Sequence, residues 1–316
     1  MQENADNTVH RPKTAVLAVV GRTNAGKSTL VNNLVGEKVS IVSPVEQTTR
    51  NTVRGIVADA RGQLVLLDTP GLHKAVGRLG TLLNRMARRS AAGADILAVV
   101  FDASQTPQLE DRGWMERVAR EKPDKTVFIL NKSDRKSFAA APFHEAWKEA
   151  KEAAAGESGP AVEPVWVESA ATETGGAEAV LDAFFSLAEE GELLFPEDVV
   201  TDYPRRLAIA DTIREKFLVR LHQEIPHELG VLVNEIEETP ECWRVKADLI
   251  VNRQSQKPIV IGRGGEGLKT ARRFAERELR RVFGVKVALS LWVRVEPGWM
   301  KNEDLLMRMG YIGDVI

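Results

Sequence analysis

Near-continuous apolar runs alternate with amphipathic stretches over the first two thirds of the chain. The apolar runs are short and rich in Val, Ile and Leu, as in parallel strands that are buried on both faces of a sheet. The predicted strands are Thr14–Val20, Leu64–Asp68, Ile96–Asp102, Thr126–Leu130 and Val165–Glu168, and the predicted helices are Leu79–Ala91, Leu109–Glu121, Phe143–Ala155 and Ala177–Glu190. This alternation predicts a doubly wound, mostly parallel α/β sheet, in which ligands bind at the carboxyl ends of the strands.

The pattern of apolar positions changes near residue 195. Residues 196–206 contain two prolines and several acidic residues, which predict a linker between two domains. Residues 1–13 predict a flexible arm, residues 14–195 the first domain, and residues 207–316 a smaller α+β domain with a C-terminal tail. The elements predicted after the linker are a helix at Leu207–His222, strands at Leu229–Glu238 and Trp243–Val251, a short helical turn, a helix at Glu266–Phe283, a strand at Val285–Val295 and a helical tail at Glu303–Arg308.

The composition is that of a globular protein, with 43% hydrophobic and 28% charged residues. A chain of 316 residues can bury two full cores. Because Cys242 is the single cysteine, an intrachain disulfide and a cysteine metal cluster are excluded, and we expect a cytoplasmic protein. No run approaches the roughly 18 apolar residues of a membrane span, and the N-terminus lacks the apolar core of a secretory signal.

Charge is distributed unevenly, although the formal net charge is only -2. Between Asn252 and Val287 there are ten Lys or Arg residues and three Glu residues. A local excess of this kind is typical of a surface that contacts nucleic acid. A solvated helix face would explain the charge as well, so the interpretation depends on the motif found in the same segment.

A glycine-rich stretch, GRTNAGKS, follows the first predicted strand and matches the phosphate-loop pattern G-x-x-x-x-G-K-[ST]. Glycines allow the backbone amides to turn inward and to cradle phosphate oxygens at the start of a helix. Lys27 is predicted to contact the β- and γ-phosphates, and Ser28 to ligate Mg²⁺. A glycine turn without a ligand is the alternative, which the flanking strand and helix argue against. The predicted phosphate-binding residues are Gly21, Arg22, Thr23, Asn24, Ala25, Gly26, Lys27, Ser28 and Thr29.

A second motif, NKSD, follows the fourth predicted strand and indicates which base is bound. The Asp134 carboxylate can accept hydrogen bonds from the N1–H and the exocyclic amine of guanine, whereas adenine would leave it unpaired. A turn that caps a helix is the alternative for this motif in isolation. After the last strand, a backbone amide of Ser169–Ala171 is expected to meet guanine O6. The predicted base-binding residues are Asn131, Lys132, Ser133, Asp134, Ser169, Ala170 and Ala171.

A third motif, DTPG, ends the second predicted strand. Its aspartate is predicted to hold Mg²⁺ through water, and its glycine amide to bond the γ-phosphate. The next residue is a leucine, where Ras-like enzymes carry a glutamine that positions water, so we expect slow intrinsic hydrolysis. The residues of this loop in the predicted nucleotide site are Asp68, Thr69, Pro70, Gly71 and Leu72.

The polar stretch EQTTR, after the first helix, offers a threonine that would complete the Mg²⁺ shell. Thr49 is predicted for this role and Thr48 is the alternative, since the sequence does not separate neighbouring hydroxyls. The predicted catalytic residues are Lys27, Thr49, Asp68 and Gly71, and the predicted metal ligands are Ser28, Thr49 and, through water, Asp68.

A second glycine cluster, GRGG, follows the apolar run KPIVI and precedes the long basic helix. A G-x-x-G loop between two helices is the signature of a KH domain, which clamps single-stranded RNA. Alone the loop is most often a plain turn, but the order of elements and the basic segment favour RNA binding. Aromatic stacking is expected to be secondary, with Phe283, Trp292 and Trp299 assigned to core or tail packing. The predicted RNA-binding residues are Ile261, Gly262, Arg263, Gly264, Gly265, Leu268, Lys269, Arg272 and Arg273.

The nucleotide motifs in this order resemble those of translation-factor-related GTPases. Together with F-P-E-D-x-x-T-D in the linker and V-I-G-x-x-G near the C-terminus, the chain from about Ala15 to Tyr311 resembles the Era family. This resemblance implies a P-loop GTPase domain followed by a type II KH domain, and Mg²⁺-dependent hydrolysis of GTP to GDP and phosphate. It further implies binding near the 3′ end of 16S rRNA, a role in maturing the 30S ribosomal subunit, and a cytoplasmic monomer with peripheral association at the inner face of the cell membrane.

Other features refine this comparison. Asn24 resembles an asparagine that helps to hold a potassium ion in bacterial relatives. Residues Ala139–Pro164 carry no family motif, and Arg263 and Gly264 stand between the outer glycines of the second loop. The alternative function is that of a GTPase with a different RNA or effector, such as a tRNA-modification or signalling GTPase.

The motifs also predict that nucleotide state and RNA binding are coupled. GTP with Mg²⁺ would order Thr49 and the Asp68–His73 loop and shift the KH domain across the Pro196–Arg205 connection. Linkage requires that RNA then tightens GTP binding by the same factor.

Overall fold

The computed structural model describes residues 11–43, 45, 48–71, 77–155, 162–173, 175–221 and 224–312. Most of the predicted arm, as well as Leu72 and His73, lies outside these residues. The first part of the chain contains β1 (Lys13–Val20), α1 (Lys27–Val35), β2 (Val53–Asp59), β3 (Gly62–Asp68), α2 (Gly77–Ala92), β4 (Ile96–Asp102), α3 (Leu109–Glu121), β5 (Thr126–Asn131), α4 (Ala141–Ala154), β6 (Val165–Ser169), α5 (Glu178–Leu187) and β7 (Glu189–Glu190). The second part contains α6 (Arg205–Leu218), α7 (Ile225–Glu228), β8 (Gly230–Glu238), β9 (Cys242–Val251), α8 (Gln256–Ile261), α9 (Glu266–Phe283), β10 (Lys286–Val295) and α10 (Glu303–Arg308).

The first domain is a seven-stranded sheet with helices on both faces. Neighbouring strands follow the order β2-β3-β1-β4-β5-β6, and all pairs from β3 to β6 are parallel. Because the central strands are apolar on both faces, α1 and α5 cover one face while α3 and α4 cover the other. The strand ends that carry the three nucleotide motifs therefore meet at one edge of the sheet.

Two strands, β2 and β7, are absent from the predicted elements. Strand β2 is an antiparallel edge strand that pairs with β3 across a two-residue turn. Strand β7 pairs antiparallel with Lys13 and Thr14 of β1, and Lys125 forms an ion pair with Glu189. The helix predicted over Ala177–Glu190 is therefore wrong at its end, since backbone pairing with β1 replaces the last helical turn.

The second domain is a three-stranded sheet with α6 and α9 packed on one face. Strand β9 lies in the middle, antiparallel to β8 and parallel to β10. The predicted fold class is confirmed: a P-loop GTPase α/β domain precedes a smaller α+β domain of type II KH topology. Helix α6 begins at Arg205, inside the predicted linker, and the short helix α7 precedes β8.

The three aromatic residues assigned to packing have different environments. Trp299 is buried, and Phe283 is half-buried with its ring 5.0 Å from that of Trp243. Trp292 is 53% exposed, so its assignment to packing is wrong. Strand alternation explains the difference, because Val293 faces the helices and Trp292 therefore points to the opposite face of the sheet.

Helix α2 and the C-terminal tail join the two domains. Leu79 and Leu83 of α2 share a buried apolar cluster with Trp299, Leu306 and Met309. The helix that follows the DTPG motif therefore packs against the second domain.

Candidate functional site

The phosphate loop connects β1 to α1 and depends on its glycines. Gly26 has a φ of 102°, and a Cβ atom there would lie 2.2 Å from Nδ2 of Asn131. Gly21 has a φ of 142°, and a Cβ atom there would lie 2.3 Å from the carbonyl oxygen of Val100. Both distances are far below van der Waals contact, so only glycine fits at either position. The loop thereby brings its backbone to the N-terminus of α1, where phosphate binds favourably.

Lys27 is the first residue of α1 and is buried behind the loop. Its Nζ atom donates to the carbonyl oxygens of Gly21, at 3.2 Å, and Arg22, at 2.8 Å. Burial lowers the pKa of Lys27 to about 8, while the Asp68 carboxylate acts in the opposite direction. Phosphate oxygens at this position would compensate the buried charge.

The predicted metal ligands converge next to Lys27. The Ser28 Oγ atom lies 3.0 Å from Thr49 Oγ1. Asp68, at the end of β3, is buried, and within the described residues neither of its carboxylate oxygens has a hydrogen-bond partner. Burial raises the pKa of the Asp68 carboxyl, against the effects of the nearby Ser28 hydroxyl and Lys27 ammonium. A buried carboxylate beside two hydroxyls is a set of hard oxygen donors that fits Mg²⁺.

The two neighbouring threonines differ in orientation. Thr48 donates from its hydroxyl to the carbonyl oxygen of Val45 at 2.5 Å. Thr49, by contrast, faces Ser28. The geometry therefore favours Thr49 over Thr48 as a metal ligand.

The DTPG loop lies against the phosphate loop. Thr69 donates from its hydroxyl to the carbonyl oxygen of Val19 at 2.9 Å, which fastens this loop to β1. A Cβ atom at Gly71 would lie 2.8 Å from the Thr23 nitrogen and 3.0 Å from Lys27 Nζ. Only glycine allows this close approach, which brings the Gly71 backbone beside the position predicted for the γ-phosphate.

The base-recognition motif is also fastened to the phosphate loop. Asn131 donates from Nδ2 to the carbonyl oxygen of Ala25 at 2.8 Å, and its Oδ1 accepts from the Ala171 amide at 3.2 Å. The Ser133 amide donates to the Ser169 carbonyl oxygen at 3.0 Å. The NKSD and SAA segments therefore lie side by side at the edge of the site.

The backbone amides of the SAA segment form hydrogen bonds within the protein. The Ala170 amide donates to the carbonyl oxygen of Gly176 at 2.9 Å, and the Ala171 amide donates to Asn131. The first bond closes the turn after β6, and the second joins this segment to the NKSD motif. The contact between an amide of this segment and guanine O6 stays a prediction.

An ion-pair network that sequence reasoning missed joins the two loops. Asp102, at the carboxyl end of β4, lies 2.6 Å from Lys132 Nζ and 3.3 Å from a guanidinium nitrogen of Arg22. Arg22 also pairs with Asp111 at 3.1 Å. Against the effect of burial, the Lys132 ammonium and the Ser104 hydroxyl lower the pKa of Asp102. The available signal was the position of Asp102, a carboxylate at the sheet edge where the motifs meet.

These segments enclose a cavity of about 440 Å³. It lies between the phosphate loop, the NKSD motif and the connection from α1 to β2, here called the switch loop (residues 36–52). The Asp134 carboxylate lies 3.4 Å from Nε of Arg135, a residue that lines the cavity. Lining residues that the sequence-based prediction omitted are Ile41, Val42, Ser43, Val45 and Arg135, and those it included are Thr23, Asn24, Gly26, Lys27, Ser28, Thr29, Thr48, Thr49, Gly71 and Lys132.

The second glycine loop connects α8 to α9. Gly262, Gly264 and Gly265 have φ values of 77°, 60° and 79°. A Cβ atom at Gly262 would lie 2.7 Å from the backbone nitrogen of Gly267, whereas one at Gly264 would meet open space. The loop therefore packs tightly at Gly262 and presents an accessible backbone at Gly264.

The predicted RNA contacts surround this loop. Lys269, Arg272 and Arg273 are exposed along α9, while Ile261 and Leu268 are half-buried against the core of the second domain. A basic helix beside a glycine loop and an apolar edge is the arrangement with which KH domains hold single-stranded RNA.

The fold and these two sites define a guanine nucleotide-binding P-loop protein with a C-terminal KH domain. Residues 16–132 match the family described as 50S ribosome-binding GTPase, and residues 224–300 match the KH domain family. The chain belongs to the Era family of GTPases. It is 37% identical to GTPase Era of Rippkaea orientalis over 95% of this chain and 92% of that protein. It is 38% identical to GTPase Era of Xanthomonas oryzae pv. oryzae over 93% of this chain and 96% of that protein.

Solved structures of the family superpose over almost the whole chain. A crystal structure of Era with MgGDPNP and nucleotides 1506–1542 of 16S ribosomal RNA has a TM-score of 0.84 and 32% identity, covering 96% of this chain and 100% of that one. A variant of Aquifex aeolicus Era bound to GDP and AlF4⁻ has the same TM-score and identity, covering 95% and 100%.

Proposed function

We propose that this chain is a GTP-hydrolysing, RNA-binding protein that assists maturation of the small (30S) ribosomal subunit by binding near the 3′ end of its 16S rRNA. The observation that carries the proposal is the presence in one chain of a guanine-nucleotide site and a glycine clamp beside a basic helix. The choice of the small subunit is supported by the similar structure that contains nucleotides 1506–1542 of 16S rRNA.

The experiment is a binding titration with the full chain. A labelled RNA of the 3′ segment of 16S rRNA is compared with a scrambled RNA of equal length, and phosphate release from GTP is measured on the same preparation. We expect preference for the 3′ segment and release above background. Equal binding of both RNAs would favour the alternative function, a tRNA-modification or signalling GTPase.

In the proposed reaction, the chain's own residues bind and orient the nucleotide. Lys27 places positive charge against the β- and γ-phosphates, and the Gly71 amide donates to the γ-phosphate. Mg²⁺, held by Ser28, Thr49 and, through water, Asp68, would neutralise charge on the phosphate oxygens during transfer to water. The residue that follows Gly71 carries no group that orients water, which accounts for the slow intrinsic rate that we propose.

Asn24 is proposed to help hold a potassium ion beside the phosphates. Asn24 is exposed, lines the cavity and has a φ of 61°, a backbone conformation that asparagine tolerates better than most residues. Turnover should be faster in potassium than in sodium buffer, and equal rates would remove the proposal.

Nucleotide state is proposed to control RNA binding through the junction of the two domains. Arg50 of the switch loop donates to the carbonyl oxygens of His227 and Leu229 in the KH domain, which supports a physical connection between the two sites. RNA titrations with and without GDPNP test the coupling, because linkage requires each ligand to tighten the other. Identical RNA affinities would contradict it.

The proposed setting is the cytoplasm, where the chain acts as a monomer. Across the described part of the chain, no helix is both long and apolar enough to span a bilayer. Peripheral association with the inner membrane face is a separate proposal, tested by flotation of the protein with anionic vesicles. Sedimentation of the purified chain tests the monomeric state.

A further inference from the structure

Helix α6 of the KH domain contacts the switch loop of the GTPase domain at several points. Arg214, which is 1% exposed, donates from Nη1 to the backbone carbonyl oxygen of Thr48. Its neighbour Glu215 accepts from the Val42 amide at 3.2 Å and from Lys38 Nζ at 2.7 Å. The KH domain therefore holds the backbone of the switch loop at Thr48 and Val42 and also its Lys38 side chain.

The residue that follows Thr49 is tied to the same domain. Arg50 is fully buried and donates to the carbonyl oxygens of Leu229, at 2.9 Å, and His227, at 2.7 Å. Thr49 thus lies between two guanidinium–carbonyl contacts that cross the domain boundary. Its hydroxyl lies 3.0 Å from that of Ser28, the position from which a threonine would reach Mg²⁺.

The buried charges around Arg214 favour one position of the switch loop. Burial, together with the neighbouring Arg50 charge, lowers the pKa of Arg214 to about 9. Asp211 supplies a compensating carboxylate, which accepts from the Tyr203 hydroxyl at 2.8 Å. A buried guanidinium that loses its carbonyl acceptor is costly, so the cluster favours the loop position in which the Thr48 carbonyl is present.

We propose that Arg214 is a positioning residue for the GTPase reaction, although it belongs to the RNA-binding domain. By holding the Thr48 carbonyl, Arg214 keeps Thr49 beside Ser28, where GTP with Mg²⁺ requires a threonine. The inference rests on the proposed function, because it names a contact through which the KH domain acts on the nucleotide site. GTPase switch segments are ordered by the γ-phosphate and its Mg²⁺ and are released after hydrolysis, so we expect GDP binding not to depend on Arg214.

The test is nucleotide binding by the full chain in the absence of RNA. Arg214→Met removes the guanidinium and keeps much of the volume. Because it leaves Asp211 buried without this partner, we expect lower stability as well, and the folded fraction is measured by circular dichroism beside binding. We expect about tenfold weaker binding of GDPNP, with GDP binding within about twofold of the original chain. The Mg²⁺ concentration for half-maximal GDPNP binding should rise. Arg214→Lys, which keeps the charge, should restore part of the loss.

The matched control is Arg205→Met in the first turn of the same helix, where the side chain is exposed and pairs with Glu238. This variant should change neither affinity. The inference is overturned if Arg214→Met loses affinity for GDPNP and GDP equally, or if it loses affinity for neither nucleotide. If the methionine variant does not fold, Arg214→Lys decides by the same comparison of the two nucleotides.

The Arg214 experiment can be interpreted separately from the proposed coupling between nucleotide binding and RNA binding. A selective loss of GDPNP affinity supports the role of Arg214 even if GDPNP leaves RNA affinity unchanged, an outcome that contradicts only the proposed coupling. Conversely, coupling without a selective loss would show that the KH domain acts on the nucleotide site through another contact, and the inference would fail alone.

Discussion

Asn131 donates a 2.8 Å hydrogen bond from Nδ2 to the carbonyl oxygen of Ala25, which joins the base-recognition motif to the phosphate loop. The same side chain accepts from the Ala171 amide, so it ties three loops that different strands deliver to one edge of the sheet. The affinity for the base and the affinity for the phosphates therefore depend on one buried amide group.

Replacing Asn131 with alanine should weaken GDP and GDPNP binding alike, by about tenfold or more. The physical reason is that the buried Ala25 carbonyl and Ala171 amide lose their partner, at about 1–3 kcal/mol. Isothermal titration of both nucleotides measures the effect. Lys136→Ala, an exposed position a few residues beyond the motif, is the control and should bind both normally. A loss restricted to one nucleotide would contradict this account.

Asp134→Asn should change the base preference from guanine to xanthine. The new amide donor suits the C2 carbonyl of xanthine, whereas the original carboxylate accepts from the C2 amine of guanine. We expect GTP affinity to fall by about tenfold or more and XTP affinity to rise, since each unmatched buried group costs about 1–3 kcal/mol. Competition binding with the two nucleotides gives the ratio directly. An unchanged ratio would mean that Asp134 does not contact the base.

Lys27→Met should stabilise the nucleotide-free protein near pH 7 while abolishing GTP binding. Burial lowers the pKa of Lys27 from 10.5 to about 8, so the unfolded chain binds this proton more tightly than the folded chain. The resulting penalty is fully present below pH 8 and disappears as the pH rises towards 10.5. Removing the amine should therefore raise the free energy of unfolding at pH 7 by up to about 3 kcal/mol.

Urea unfolding at pH 7 and pH 9.5 checks the sign of this effect. The stabilisation should shrink at the higher pH, where the original lysine is mostly neutral in the folded state. Lys148→Met, at a position where the side chain is 74% exposed, is the control and should show no such dependence on pH. Equal stabilisation at both pH values would show that the gain comes from apolar packing rather than from the buried charge.

The sequence predicted those parts of the fold that local patterns determine. Strands β1, β4 and β5 carry dense apolar runs, and α3 and α9 have helical periodicity, so their bounds agree with the structure to within one residue. Strands β2 and β7 depend on a tertiary partner instead, because edge pairing is decided by the strand alongside rather than by the segment's own pattern.

The candidate site likewise has one part that local sequence patterns predict and another part that they do not. The motifs are contiguous, so their residue types alone indicated phosphate and guanine binding. The contact of Arg214 with the Thr48 carbonyl joins residues 166 positions apart, and the pairing of Lys132 with Asp102 joins residues 30 apart. No local pattern encodes such contacts, since they arise only when the domains and strands have been assembled.

Gly264→Asp should impair RNA binding without affecting the nucleotide site. A Cβ atom at Gly264 would meet open space, and Asp and Asn both tolerate its φ of 60°, so either replacement should fold. A carboxylate here would face the phosphates of the clamped RNA. We expect at least about tenfold weaker RNA binding at low salt, with a smaller loss as salt screens the repulsion.

Gly264→Asn is the matched control, because it has nearly the same shape without the charge. It should lose no more than about threefold in RNA affinity, and both variants should bind GDPNP normally. Equal losses in the two variants would point to backbone geometry rather than charge as the cause. If neither variant loses affinity, the GRGG loop does not contact the RNA backbone, and RNA binding must then depend on the exposed basic face of α9 around Lys269, Arg272 and Arg273.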